Sequence, residues 1–187
     1  MTVTLDGIYK KSKITDGGAT MSVLIQEILA IDQYKQELCE LIQVTVNNGA
    51  SIGFLLPMQK EEAEDFWESH KPNESRILLG AFINQRLIGV VYIELVEKPN
   101  GSHRGEICKL MVHPDARRLG VAKALMKEIE KKALEQNRSL LVLDTRDGDH
   151  ANELYKSLGF VFAGAIPHFA RNEKGILETT NLYYKMI

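Results

Sequence analysis

The chain has 187 residues, 44% of them hydrophobic and 26% charged, with a formal net charge of −2. That length suits one domain able to bury a core without disulfide or metal support, and the near-neutral balance offers no basic stripe for nucleic acid. Two lone cysteines, Cys39 and Cys108, exclude a disulfide framework, and the absence of any apolar run of about 20 residues excludes a spanning helix.

The first residues carry Lys10, Lys11 and Lys13 and no apolar segment of secretory type, so a cytoplasmic location is expected. Residues 1–20 are polar and rich in Gly and Thr. They are either an added strand or a loose arm, and the domain proper is expected over 21–187.

Met21 to Leu29 is apolar enough for a strand. Tyr34, Leu38, Leu41, Ile42 and Thr45 recur at helical spacing over 32–47, and Asn47-Asn48-Gly49 stops that helix. Gly49 to Phe54 is a small-residue loop, followed by a helix over about 58–70 with Ala63, Phe66 and Trp67 on one side. Arg76 to Ile83 and Leu87 to Val96 read as strands joined at Asn84-Gln85-Arg86. Lys98-Pro99-Asn100-Gly101 is turn chemistry, which makes Glu106 to Val112 the next strand of a meander.

The period then changes. Val121, Leu125, Ile129 and Ala133 mark a long amphipathic helix. Leu140 to Leu143 reads as a strand buried on both faces. A helix over about 149–158 closes at Gly159, and Phe160–Ile166 and Asn181–Met186 read as the last strands. This order predicts an α/β fold: a mixed, mostly antiparallel sheet flanked by helices on both sides.

The segment from Val112 to Ala122 carries the first chemical signal. Pro114 ends a strand, a helix starts near Val121, and Gly120 and Ala122 allow close approach to the backbone. The free amides and dipole of the helix start favour phosphate oxygens, and Arg117 and Arg118 add positive charge. No Gly-Lys-Ser/Thr follows, and GxGxxG spacing is absent, so neither a Walker loop nor a dinucleotide fingerprint fits. Taken alone, Arg117-x-x-Gly120-x-Ala122 is equally a plain helix start with a solvated arginine. The second signal is Leu154-Tyr155-Lys156-Ser157-Leu158-Gly159-Phe160, one strand downstream, where Leu154, Leu158 and Phe160 are expected in the core.

Together these segments resemble the GNAT acetyltransferases, which carry Arg/Gln-x-x-Gly-x-Gly/Ala at a strand-to-helix turn and a Leu-Tyr-x-x-x-Gly-Phe element downstream. Gly49 to Phe54, Lys98 to Gly101, Lys109 to Val112 and Leu143-Asp144-Thr145 further resemble the tabtoxin-resistance branch of that family, which acetylates a β-lactam toxin; this likeness spans roughly residues 22–187.

The resemblance implies acetyl-CoA as co-substrate, no metal, and a small-molecule amine as acceptor, with an amino-acid-like amine or a β-lactam toxin as the options. It also implies a homodimer as an option, since family members often dimerise. Nothing suggests a nucleic-acid or membrane partner, and the five histidines show no metal-ligand spacing such as HExxH. Leu110, Met111, Val112, Arg117, Arg118, Leu119, Gly120, Val121 and Ala122 fall on the cofactor-binding positions. Many members place an asparagine seven positions before the tyrosine to hold the pantetheine arm. Here that position is Gly148, which leaves the contact missing or supplied by Asn152.

By the same resemblance, Glu106 and Asp144 fall on the bases and Tyr155 on the acid. Their bland alternatives are an edge ion pair of Glu106 with Arg104, a strand-end cap by Asp144 and a packed aromatic at Tyr155. An amine acceptor is protonated near neutrality, with pKa ~10, and needs a base. Amides at Leu110 to Val112, freed by a bulge, would hold the oxyanion, and Tyr155 would serve the leaving thiolate if the site lowers its pKa. Cys108 is expected to be a buried structural thiol rather than an acyl carrier. Non-catalytic acyl-CoA sensing on the same fold is the alternative, with a nucleotide-binding module behind it.

Overall fold

The computed structural model describes residues 9–16 and 19–187, with side chains from Ser22 onward. Two helices, α1 (Lys35–Asn47) and α2 (Lys60–Ser69), interrupt a run of antiparallel strands: β1 (Tyr9–Asp16), β2 (Ala19–Glu27), β3 (Arg76–Ile83), β4 (Arg86–Leu95) and β5 (Arg104–Val112). Then come α3 (Val121–Glu135), β6 (Leu140–Arg146), α4 (Ala151–Ser157), β7 (Val161–Arg171) and β8 (Leu177–Met186). The described strands form one eight-stranded sheet in the order β1-β2-β3-β4-β5-β6-β8-β7. Only β5 and β6 run parallel, and α3 supplies the crossover that parallel neighbours require.

The predicted order of elements is found. Within residues 1–20, residues 9–16 form an added strand, one of the two options expected, by pairing with β2; residues 19 and 20 open β2 and the others lie outside the described residues. Three details differ. Leu140 and Val142 are only partly buried while Leu141 and Leu143 are buried, so β6 is covered on one face rather than two. The helix near 149–158 begins only at Ala151. The final hairpin is longer than its apolar runs, because paired backbone carries β7 and β8 through polar residues.

The sheet separates two cores. On one face, Leu79, Ala81, Val91 and Ile93 pack with Val121, Leu125 and Ile129 of α3 and with Tyr155 of α4. On the other, Leu78, Val90 and Tyr92 pack with Leu38, Leu41 and Ile42 of α1 and with Phe66 and Trp67 of α2. The period-two alternation of β3 and β4 thus feeds both layers. Asn84 and Gln85 turn between these strands with positive φ (49° and 68°), which matches the twist of a tight hairpin.

Close contact fixes α3 against the sheet. A Cβ on Gly89 would lie 2.9 Å from the Met111 carbonyl oxygen and 3.3 Å from side-chain carbons of Val121 and Leu125. Leu125 is fully buried there, so Leu125→Ala should lower unfolding free energy by ~2–5 kcal/mol through a cavity at this joint. Urea denaturation checks it: the midpoint should fall with an unchanged slope.

Candidate active site

β5 and β6 pair only at Arg104↔Leu140, Gly105↔Leu141 and Glu106↔Val142. Beyond that point β5 runs to Val112 and β6 to Arg146 without pairing to each other. The sheet therefore splits, and the β6-facing backbone of β5 from Ile107 onward has no strand partner. A bulge marks the split. Val90 pairs with Met111 and Tyr92 with Cys108, which leaves Lys109 and Leu110 outside the register. Lys109 takes φ 50°, the left-handed region, at the turn of this bulge. The amides expected near Leu110 thus sit where the ladder is broken.

At the far end of β5 the chain makes the expected strand-to-helix turn. Pro114–Ala116 forms a short 3₁₀ turn, and the His113 ring accepts from the Asp115 amide at 3.3 Å. The Arg117 amide donates to Pro114 and the Ala124 amide to Gly120. Between them, the amides of Arg118 through Lys123 donate to no acceptor among the described residues. Arg118 and Gly120 both have positive φ (62° and 86°), a backbone pattern that turns successive N–H groups into one concavity suited to an anion. α3 adds the positive end of its dipole. Arg117 and Arg118 are exposed, with no ion-pair partner among the described residues. Leu119 is partly buried, Val121 is buried and Ala122 is half-buried behind the turn. These donors fit the diphosphate of coenzyme A.

Along the split, Leu110 and Val112 lean on the α3/α4 core while Met111 is buried on the α1/α2 side. The α1/α2 face also carries the acids. Glu106 and Asp144 are both exposed, on neighbouring strands, and neither has an ion-pair partner among the described residues. The alternatives for them find no support: no bond joins Glu106 to Arg104, and Asp144 caps no turn. Instead Glu106 lies opposite Glu94, which is held by Arg76.

Tyr155 stands on the other face, 6% exposed, against the rings of Phe160 and Tyr183. Burial raises its phenol pKa well above the ordinary value, with Asp149, Asp144 and Cys108 adding to the rise. The condition for Tyr155 to act as a proton source, a lowered pKa, is not met: a buried phenol near two carboxylates keeps its proton.

Asn152 does not have the role expected of it. Its Nδ2 donates to the carbonyls of Arg146 (2.9 Å) and Asp149 (2.7 Å), and its Oδ1 accepts from Asn181 Nδ2 (3.0 Å) and Tyr183 Oη (2.9 Å). Both donors and the acceptor oxygen are occupied within the fold, which leaves nothing for a pantetheine arm. The residue ties β6, α4 and β8 together. Gly148, at φ 75°, has no atom within 4 Å of a would-be Cβ.

The sequence reading missed Lys109. Its Nζ lies 5.6 Å from the Phe54 ring centroid and 5.7 Å from that of Phe66. The signal was a lysine within the apolar run from Ile107 to Val112. Arg146 was also missed. It donates to the Gly49 carbonyl at 3.3 Å and pairs with Glu178 and Asp149, closing a shallow cleft lined in part by Gly49, Phe54, Arg146 and Asn172.

Residues 54–160, more than half of the chain, match the acetyltransferase (GNAT) family. The chain belongs to the GNAT acetyltransferase family. Similar solved structures agree on the fold. An acetyltransferase of the GNAT family from Streptococcus pneumoniae is 24% identical, with a TM-score of 0.72 over 88% of this chain and 99% of that one. The ribosomal-protein-alanine N-acetyltransferase from Brucella melitensis is 19% identical, with a TM-score of 0.73 over 87% and 99%. A GCN5-related N-acetyltransferase from Kribbella flavida is 18% identical, with a TM-score of 0.73 over 87% and 98%. Family membership carries acyl-CoA-dependent acetyl transfer as the general activity, with acetyl-CoA as co-substrate. Among the described residues no helix is long and apolar enough to cross a membrane, and no cluster of three His, Cys, Asp or Glu side chains is placed to hold a metal.

Two predictions follow from this geometry. Asn152→Ala strands partners on β6, on β8 and in the loop before α4 and should cost at least about 2 kcal/mol of stability, seen as a lower denaturant midpoint. A pantetheine ligand would instead show mainly as a raised KM for acetyl-CoA. Burial, with Glu106 nearby, pushes the Cys108 thiol up to about 12, and burial also raises Cys39. Thiolate is thus scarce below those values, so at pH 8 both native thiols should react far more slowly with a thiol reagent than in guanidinium.

Proposed function

We propose that this chain transfers the acetyl group of acetyl-CoA to a primary amine of a small molecule, by direct attack in a ternary complex. The row of free amides from Arg118 to Lys123, opening onto the split between β5 and β6, carries this reading. In it, Arg117 to Ala122 hold the diphosphate, and Leu110, Met111 and Val112 line the pantetheine arm. Acetyl-CoA, when bound, supplies an activated acetyl carbon attached to a thiol leaving group.

The chain's own groups divide the proton work between faces. Glu106 and Asp144 take the proton of the incoming ammonium, directly or through water, and their exposure lets that proton pass to solvent. The unpaired backbone at the Lys109–Leu110 bulge donates to the developing oxyanion. Tyr155, held protonated, donates a hydrogen bond to the departing thiolate. Its raised pKa makes it a better donor than proton source, since a thiolate of pKa ~8.5 is too weak a base to take the proton outright. The raised pKa of Cys108 argues against an acetyl-cysteine intermediate, because the thiolate is the nucleophile.

The acceptor is proposed to be amino-acid-like or a toxin amine, following the likeness of Lys109 to Val112 and Leu143 to Thr145 to the tabtoxin-resistance branch. The fold alone does not choose, since one scaffold serves many amines.

A CoA-release screen against amino acids, dipeptides, polyamines and aminoglycosides tests the reaction. With a competent acceptor, Glu106→Gln and Tyr155→Phe should each lower kcat/KM by roughly 10²–10³. Gly120→Val, which forces a branched side chain into φ 86°, should raise the KM for acetyl-CoA at least tenfold. Binding of acetyl-CoA with no amine-dependent release of CoA would move the chain to the sensor reading.

A further inference from the structure

Several cations on the α1/α2 side of the sheet are held by carboxylates. Arg76 is held by Glu94, Lys35 and Lys71 by Glu68, and Arg146 by Glu178 and Asp149. Lys109 has no ion pair and no hydrogen bond among the described residues. Its half-buried ammonium rests on the faces of Phe54 and Phe66, and a Cβ on Gly53 would come within 3.3 Å of Nζ. A desolvated ammonium without an anion is costly, and two ring faces replace only part of its hydration.

The position of this charge is fixed. Its backbone is the left-handed residue of the bulge where β5 leaves β6. Phe54 belongs to the loop before α2 and Phe66 to α2 itself, and Phe66 is braced by the edge of Trp67 and by the stacked ring of His70 (centroids 5.0 and 4.1 Å). Asp144 and Glu106 lie on the same face. Burial lowers the Lys109 pKa, with Cys108 and Asp144 pulling it partly back. Phe54 also borders the cleft that Arg146 closes. The face therefore presents two carboxylates and, over the Phe54 and Phe66 rings, an ammonium with no carboxylate partner among the described residues.

We propose that Lys109 is a specificity residue whose ammonium pairs with a carboxylate on the acceptor, while Glu106 and Asp144 receive the acceptor's amine, so that the preferred substrates are small amino acids or close analogues that keep a free carboxylate. This rests on the acetyl-transfer reading above and narrows its acceptor class.

Matched acceptors decide it: amino acids against their carboxamides and against amines of the same length lacking the carboxylate, measured by CoA release. Acetyl-CoA binding is followed separately by thermal shift. The unmodified enzyme should favour the free carboxylate on the order of a hundredfold in kcat/KM, because a site built for a polar group strongly rejects analogues lacking it. Lys109→Met should abolish that preference mainly through the acceptor KM, with acetyl-CoA stabilising the variant as before. Lys109→Arg should keep much of the preference, and Lys109→Glu should turn it toward diamines. All three share the backbone strain of the native lysine, so they compare like with like. Equal use of carboxylate and carboxamide by the unmodified enzyme overturns the role of Lys109 alone, as does an equal loss on every acceptor in Lys109→Met. Turnover with neither series, while acetyl-CoA still binds, overturns the acetyl-transfer reading and this inference with it.

Discussion

Everything in the site depends on one interruption of hydrogen bonding: two parallel strands pair for three residues and then part. Parallel pairing of β5 and β6 stops at Glu106 and Val142 because the bulge at Lys109–Leu110 turns β5 away. An unpaired strand edge inside a sheet leaves donors and acceptors without partners, and a chain of polar atoms, such as a pantetheine arm, meets that need. The same parting aims β5 at the turn whose amides gather at the start of α3. α3 in turn is held by Gly89, where no side chain would fit.

The two faces of the split differ in chemistry. On the α3/α4 side, Tyr155 is packed among rings and keeps its proton. On the α1/α2 side, Glu106 and Asp144 reach solvent and Lys109 lies over aromatic faces. A leaving thiolate and an incoming ammonium have opposite needs, a donor for one and a base for the other. Cys108, on the side of the acids, stays a protonated thiol through burial and the field of Glu106.

α4 is a helix of seven residues, too short to persist by propensity. It is held by the anchoring of Asn152 to four partners and by the burial of Tyr155. The network that replaces a ligand contact at Asn152 therefore positions the phenol, so one buried amide links the stability of the fold to the geometry of the site.

Much of this was legible in the sequence. The order of strands and helices followed from periodicity, because burial on one face imposes a spacing of 3.6 or 2. The turn before α3 followed from a proline, a glycine and a helix start, whose backbone consequences are local. Arg117, Gly120 and Tyr155 were visible because they stand within short motifs. What the sequence did not contain was set by contacts between distant segments. Asn152 was misjudged because its partners Asn181 and Tyr183 lie on β8, and nothing local announces them. The direction of the Tyr155 pKa was left open because it depends on how deeply α4 is buried and where Asp149 and Asp144 fall around it. Lys109 became visible only once Phe54 and Phe66, more than forty positions upstream, were folded over it. The sequence by itself determined the order of elements and the place of the turn before α3, since these rest on backbone propensities of neighbouring residues, and its short motifs carried the resemblance to the family. Only the tertiary structure decided which side chains are free to meet a ligand and in which protonation state, since that depends on burial and on partners brought together from across the chain.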